Sequence, residues 1–177
     1  MSKQLGSTSS SEPLVSSLAC AAMVPAPYVI DEYVRWSDVD FAGIICYGAY
    51  LRFFELAETE LFRAAGAPYG EVFDRFDFWL PRAAIHGEFH HPARLDDRLR
   101  VGAHIAHVGR TSLTIGFHVL HVATKRLGAD GHQVLVSVDR ATLRPQPLPS
   151  GFVSLLAPFT LPGDAARAAL GVPPGDP

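Results

Sequence analysis

The chain has 177 residues, 48% of them hydrophobic, and a formal net charge of −3. That length fits one domain with tails, and the near-neutral charge, with no basic cluster, argues against nucleic acid as a main partner. No apolar run approaches the ~20 residues of a membrane helix, so no membrane partner is expected, and two cysteines, Cys20 and Cys46, give no disulfide framework, which fits a cytoplasmic protein.

In chain order, residues 1–27 read as a flexible N-terminal tail. Ser7 to Ser11 is an unbroken Ser/Thr run, and Pro13, Pro25 and Pro27 punctuate the rest of it. Leu14–Val24 is mildly apolar, but Lys3 is the sole positive charge before it and Glu12-Pro13 intervenes, so a secretory signal is disfavoured. Residues 28–160 carry the folded domain. Tyr28–Trp36 reads as a first strand. Ala49–Ala65 reads as a helix, because Tyr50, Phe53, Phe54, Ala57, Leu61 and Ala64 share one face. Gly66 and Pro68 stop it. Four strands come next: Phe78–Phe89, Leu99–His107, Leu113–His121 and Val134–Val138. Turns are expected at Gly109-Arg110 and at Gly128-Ala129-Asp130-Gly131. Residues 161–177 read as a C-terminal tail in which Asp164–Leu170 forms a short helix with Asp164 as its cap. One helix among antiparallel hairpins makes this an α+β chain.

The chemistry concentrates in Asp38-Val39-Asp40-Phe41-Ala42-Gly43, just before the helix. A carboxylate beside the unpaired N–H groups of a helix start suits acyl transfer: one group attacks or activates water, the other holds the oxyanion. No Gly-x-Ser-x-Gly elbow, phosphate loop or dinucleotide fingerprint competes with it.

Arg35-Trp36-Ser37-Asp38-Val39-Asp40-Phe41-Ala42-Gly43-Ile44, then Tyr47-Gly48-Ala49-Tyr50-Leu51-Arg52-Phe53-Phe54-Glu55, resembles the signature of the 4-hydroxybenzoyl-CoA thioesterase family. Pro92-Ala93-Arg94-Leu95-Asp96-Asp97 extends the likeness. The resemblance implies a hot-dog fold, in which a five-stranded antiparallel sheet wraps a long central helix. It also implies an acyl-CoA thioesterase that works as a homodimer or homotetramer, without cofactor or metal.

By the same resemblance Asp40 is the catalytic acid, as nucleophile or as general base, and the two roles stay open. The Tyr47 amide is the oxyanion donor. Arg110, Thr111 and Ser112, at a hairpin turn, are expected at the CoA nucleotide, with Arg110 meeting phosphate. Arg82, Arg94 and Arg126 are weaker candidates for that contact. Asp38 is expected to order the loop, and Glu55 and Glu58 to be ordinary helix acids. Gly48 departs from relatives that carry His or Pro there. Phe41 is a candidate for the acyl pocket; Phe53 and Phe54 are expected in the core. The eight histidines suggest no metal by spacing, since only His86 and His90 share even strand spacing. Two rival readings remain: a thioesterase acting on carrier-protein-bound acyl chains, and a non-catalytic binding protein of the same fold.

Overall fold

The computed structural model describes residues 24–175, so the expectation for the first part of the N-terminal tail lies outside the described residues. Strands and α-helices run in the order β1 (Tyr28–Tyr33), α1 (Ala49–Ala64), α2 (Tyr69–Phe76), β2 (Arg82–Phe89), β3 (Arg98–Val108), β4 (Ser112–His121), β5 (Leu127–Val136), α3 (Ser150–Leu156) and α4 (Gly163–Leu170). The five strands form one sheet in the order β1-β3-β4-β5-β2, every pair antiparallel.

The period-two pattern of β3 and β4 explains which face is the core. Leu99, Val101, Ala103 and Ile105 line up with Leu113, Ile115, Phe117 and Val119, and all are fully buried. Against this inner face lies α1, presenting Tyr50, Phe53, Phe54, Ala57 and Leu61. Phe54 stacks on Phe117 with centroids 4.5 Å apart. Burial of each such ring stabilises the fold by about 2–3 kcal/mol. The buried stripe of α1 takes in Glu58 and Phe62, while Ala64 is exposed. Phe62 turns inward because Tyr69 and Phe152 pack on it from α2 and α3.

Three features depart from the sequence reading or go beyond it. The Gly128–Gly131 segment is strand, not turn: β5 begins at Leu127, and the β4–β5 turn is Val122–Lys125, with Lys125 in the left-handed region. Gly131 is a glycine because β2 crosses it; a Cβ there would lie 2.3 Å from the His86 carbonyl oxygen. Second, α2 and α3 are helices that strand periodicity does not register. Third, residues 163–172 do not trail away. Here α4 packs on the outer face of β3 and β4, and Leu170 and Val172 join Leu120 and Leu127 in a small second core. Pro162 precedes the helix and Asp164 lies inside its first turn rather than at the cap. None of the described helices is long and apolar enough to cross a membrane.

Candidate active site

The Asp40 loop is a tight reversal closed by a bridge between Val39 and Ile45. The Asp40 N–H donates to the Ile44 carbonyl at 3.0 Å, and Gly43 N–H donates back to the Asp40 carbonyl at 3.0 Å. Gly43 has φ +72°, a conformation that favours glycine. The Asp40 Oδ1 accepts the Ala42 N–H at 2.8 Å, an Asx turn that aims the carboxylate. Its remaining oxygen has no partner among the described residues.

The loop is bolted down by the other acid. Asp38 is buried; it accepts the Arg35 N–H at 2.8 Å and two bonds from Arg52, one of them Nε to Oδ1 at 3.0 Å. Burial alone would raise its pKa, but the donors from Arg52 and Arg35 outweigh it and hold the carboxyl below the usual aspartate range. Asp38 therefore orders the loop, as its place in the sequence suggests.

Helix α1 begins immediately after the loop without a side-chain cap, Gly48 standing at the cap position. Ala49, Tyr50 and Leu51 donate back to Cys46, Tyr47 and Gly48. The N–H groups of Tyr47 and Gly48 donate to no backbone carbonyl among the described residues. They stand just ahead of a 16-residue helix, at the end where its dipole favours negative charge.

Asp40, Ile44, Ile45, Tyr47, Tyr50, Phe89, His90, His91 and Pro92 surround a cavity of about 400 Å³. Asp40 also borders a second, apolar hollow of about 590 Å³ with Trp36, Val39, Phe41, Gly43 and Leu95. Phe41 and Trp36 are strongly exposed there, whereas Phe53 and Phe54 are core residues. Tyr50 is a cavity residue that the sequence disguises, because its place on the apolar face of α1 marks it only as core. It is buried, stacks near Phe89 at 5.1 Å, and burial pushes its phenol up to about 12, so it stays a hydrogen-bond donor.

The turn residues Arg110, Thr111 and Ser112 are not near this cavity within one chain. Ser112 pairs with Val136, at the opposite end of the sheet from Val119 and Ala129; seven residues of β4 separate the two, about 24 Å at ~3.4 Å per residue. Arg110 is exposed, and its carbonyl accepts Leu148 N–H at 2.9 Å. Nearer cations exist. Arg94 and Arg126 border a cavity of about 280 Å³ that shares His91 and Pro92 with the Asp40 cavity. Of the helix acids, Glu58 is fully buried. It accepts bonds from Tyr69 and from Arg82 Nη2 at 2.8 Å, and Arg82 continues to Gln133 at 2.8 Å. Burial pushes the Glu58 carboxyl up while Tyr69 and Arg82 pull it down. This network ties α1, α2, β2 and β5 together; Glu58 is structural. Glu55 is exposed.

A five-stranded antiparallel sheet wrapped round one long helix, with an acid-bearing loop at that helix's N-terminus, is the architecture of hot-dog proteins. The chain belongs to the thioesterase-like superfamily, which matches residues 34–156. Among curated proteins, the acyl-CoA thioester hydrolase YbgC of Escherichia coli O157:H7 is 28% identical over 122 residues, 68% of this chain and 89% of that protein. The YbgC protein of Shigella flexneri matches equally. Among the solved structures that share the fold are two CoA thioesterases. The 1,4-dihydroxy-2-naphthoyl-CoA thioesterase from Synechocystis has TM-score 0.69 at 19% identity, over 74% of this chain and 96% of that one. A mutant 4-hydroxybenzoyl-CoA thioesterase complexed with 4-hydroxybenzoyl-CoA has TM-score 0.67 at 20% identity, over 73% and 98%. The superfamily match ends at Leu156, so α4 lies beyond it.

Proposed function

We propose that the protein is an acyl-CoA thioesterase whose chemistry is carried by Asp40 and the backbone N–H of Tyr47. One observation carries this reading: the aimed Asp40 carboxylate and Tyr47, just ahead of an uncapped helix start, border the same cavity. The thioester carbonyl oxygen would take the Tyr47 N–H, with Gly48 N–H beside it, where the developing oxyanion is stabilised by fixed donors. Asp40 would either add to the carbonyl carbon, leaving an anhydride that water opens, or take a proton from water as the water adds. Both routes break the C–S bond and end in a carboxylate and free CoA thiol. Trp36, Phe41 and Leu95 offer an apolar bed for an acyl group. The related CoA thioesterases support a CoA ester as the substrate, and a cytoplasmic location accords with CoA substrates.

The active form is a homo-oligomer, at least a dimer. All eight residues of the edge strand β2 are exposed, a length of unpaired strand that proteins seldom leave open. Antiparallel pairing of two β2 strands would set the Arg82 end of one beside the Phe89 end of the other. The β3–β4 turn of a second copy, with Arg110, Thr111 and Ser112, would then approach the Asp40 cavity from the side. Within one chain Arg94 and Arg126 stand nearer, and they form the competing phosphate contact. The direct test is hydrolysis of aromatic and aliphatic acyl-CoAs, and of the same acyl groups on a carrier protein, by the wild type and by Asp40→Asn. Turnover lost in folded Asp40→Asn supports the assignment; undiminished turnover overturns it, and activity on carrier-bound substrates alone overturns the CoA reading.

A further inference from the structure

On the outer face of the sheet, away from α1, the strand register gathers side chains that sequence spacing keeps apart. Glu88 on β2 is paired with Asp130 on β5, and Asp130 with His118 on β4, so all three stand in one row across three strands. His90, two residues beyond Glu88, reaches the same spot; its Nε2 lies 3.0 Å from Asp130 Oδ1. One ligand atom from each of Glu88, His90 and Asp130 falls within 4.8 Å of the others. We propose that Glu88, His90, Asp130 and His118 form a binding site for a first-row divalent cation such as zinc.

Two features of the row favour a cation there, beyond the imidazoles that Glu88 and Asp130 already meet, His86 at 3.3 Å and His90 at 3.0 Å. Glu88 and Asp130 are carboxylates directly opposite each other on neighbouring strands, where like charges repel. His118 is 9% exposed, and neither of its ring nitrogens has a hydrogen-bond partner. Its Nδ1 lies 3.9 Å from the second Asp130 oxygen, beyond hydrogen-bond reach, and the Gly163 backbone is its other polar neighbour. One divalent ion removes the repulsion and gives the orphaned imidazole a partner. The donors, two imidazoles and two carboxylates with no thiolate, suit zinc or a neighbouring first-row ion better than calcium or magnesium.

The spacing is close to that required. Two atoms bound to a tetrahedral zinc at ~2.1 Å lie roughly 3.3 Å apart. His90 and Asp130 are already within that, while His118 stands 3.9 Å from Asp130 and outside the group whose ligand atoms lie within 4.8 Å of one another, so it joins the ion only after its side chain turns inward. Three of the four ligands stand on β-strands, which fixes them without a flexible loop. His90 also borders the Asp40 cavity, so the ion would anchor one cavity wall. The site does not depend on the thioesterase reading.

The test is calorimetric titration of chelator-stripped, full-length protein with zinc chloride and then manganese chloride, with metal content checked by elemental analysis. The expected result is saturable uptake of one ion per chain and a raised melting temperature. Asp130→Asn and His90→Gln should each weaken uptake on the order of tenfold or more. His107→Gln, an exposed histidine at the far end of β3, should leave it unchanged. Should Asp130→Asn fail to fold, Glu88→Gln carries the test, because that side chain is 63% exposed. His86→Gln guards the assignment, since His86 and His132 form a neighbouring pair with rings 5.3 Å apart. No saturable uptake by the wild type, uptake untouched by the ligand variants, or loss only in His86→Gln overturns the proposal.

Discussion

Asp38 and Arg52 join the two halves of the site. The carboxylate belongs to the loop and the guanidinium to the first turn of α1, and two hydrogen bonds between them fix one against the other. The loop that aims Asp40 and the helix start that offers the Tyr47 N–H therefore move as one body, which is the pre-organisation that oxyanion stabilisation needs.

Removing that tie should cost stability before chemistry. Asp38→Asn leaves Arg52 without its counter-charge, and a loss of about 2 kcal/mol is expected, discounted because the guanidinium is partly exposed. The bound Asp38 titrates below its unfolded value of about 3.9, so its contribution is present above that pH and fades as pH falls through the folded value. Urea midpoints of wild type and variant should differ by a constant amount from pH 5 to 7 and converge below about pH 4. A difference that does not shrink at all on acidification would show that packing, not charge, was lost.

Asp40 should behave in the opposite way. Its carboxylate is exposed and its one bond is to Ala42 N–H, which asparagine can keep. Asp40→Asn is expected to cut kcat roughly a hundredfold or more with little change in melting temperature.

The phosphate contact separates by kinetics. If Arg110 of a second copy meets the nucleotide, Arg110→Ala raises KM for full acyl-CoA and spares a truncated thioester without the nucleotide phosphates, because a remote contact gives uniform binding. The effect should shrink as salt rises. The same pattern in Arg94→Ala or Arg126→Ala, with none in Arg110→Ala, moves the contact to the cavity beside His91.

Assembly through β2 is tested at Ile85, an exposed apolar residue in the middle of that strand. Ile85→Asp should turn a dimer into a monomer by light scattering with unchanged circular dichroism. Activity should fall with it if the site draws on two copies. Dimers that survive the charge would place the interface elsewhere.

Gly131→Ala tests the close crossing of β2 over β5. The added methyl carbon would lie 2.3 Å from a backbone oxygen, which cannot swing aside as a side chain would. A loss of about 2 kcal/mol or more is expected in denaturant unfolding.

Gly131 also shows where the sequence misleads. Gly128-Ala129-Asp130-Gly131 has the composition of a turn, and propensity alone puts one there; the strand exists because β2 and β4 pair with it on both sides. That misreading also hides the outer-face row, since a turn Asp130 has no cross-strand neighbours. Helix α1 and strands β3 and β4 are legible because each buries one continuous face, and periodicity reports that directly. Glu58 and Phe62 escape it because α2, α3 and Arg82 reach α1 from distant parts of the chain and widen the buried stripe. That Asp40 and Tyr47 border one cavity is legible because loop and helix start are contiguous. The separation of Arg110 from them is not, because it is a property of the sheet's length.

The bare start of α1 puts durability and turnover in competition. A capping Ser or Asp in place of Gly48 would add about a few tenths of a kcal/mol to the helix, and the position has room, its nearest neighbour being Cys46 Sγ at 4.0 Å. Yet in the proposed mechanism the amides just ahead of this helix meet an incoming ester, and a negative Asp there would repel a forming oxyanion. If the Tyr47 N–H is the oxyanion donor, a variant chosen at this residue for heat resistance would gain sturdiness at the expense of turnover.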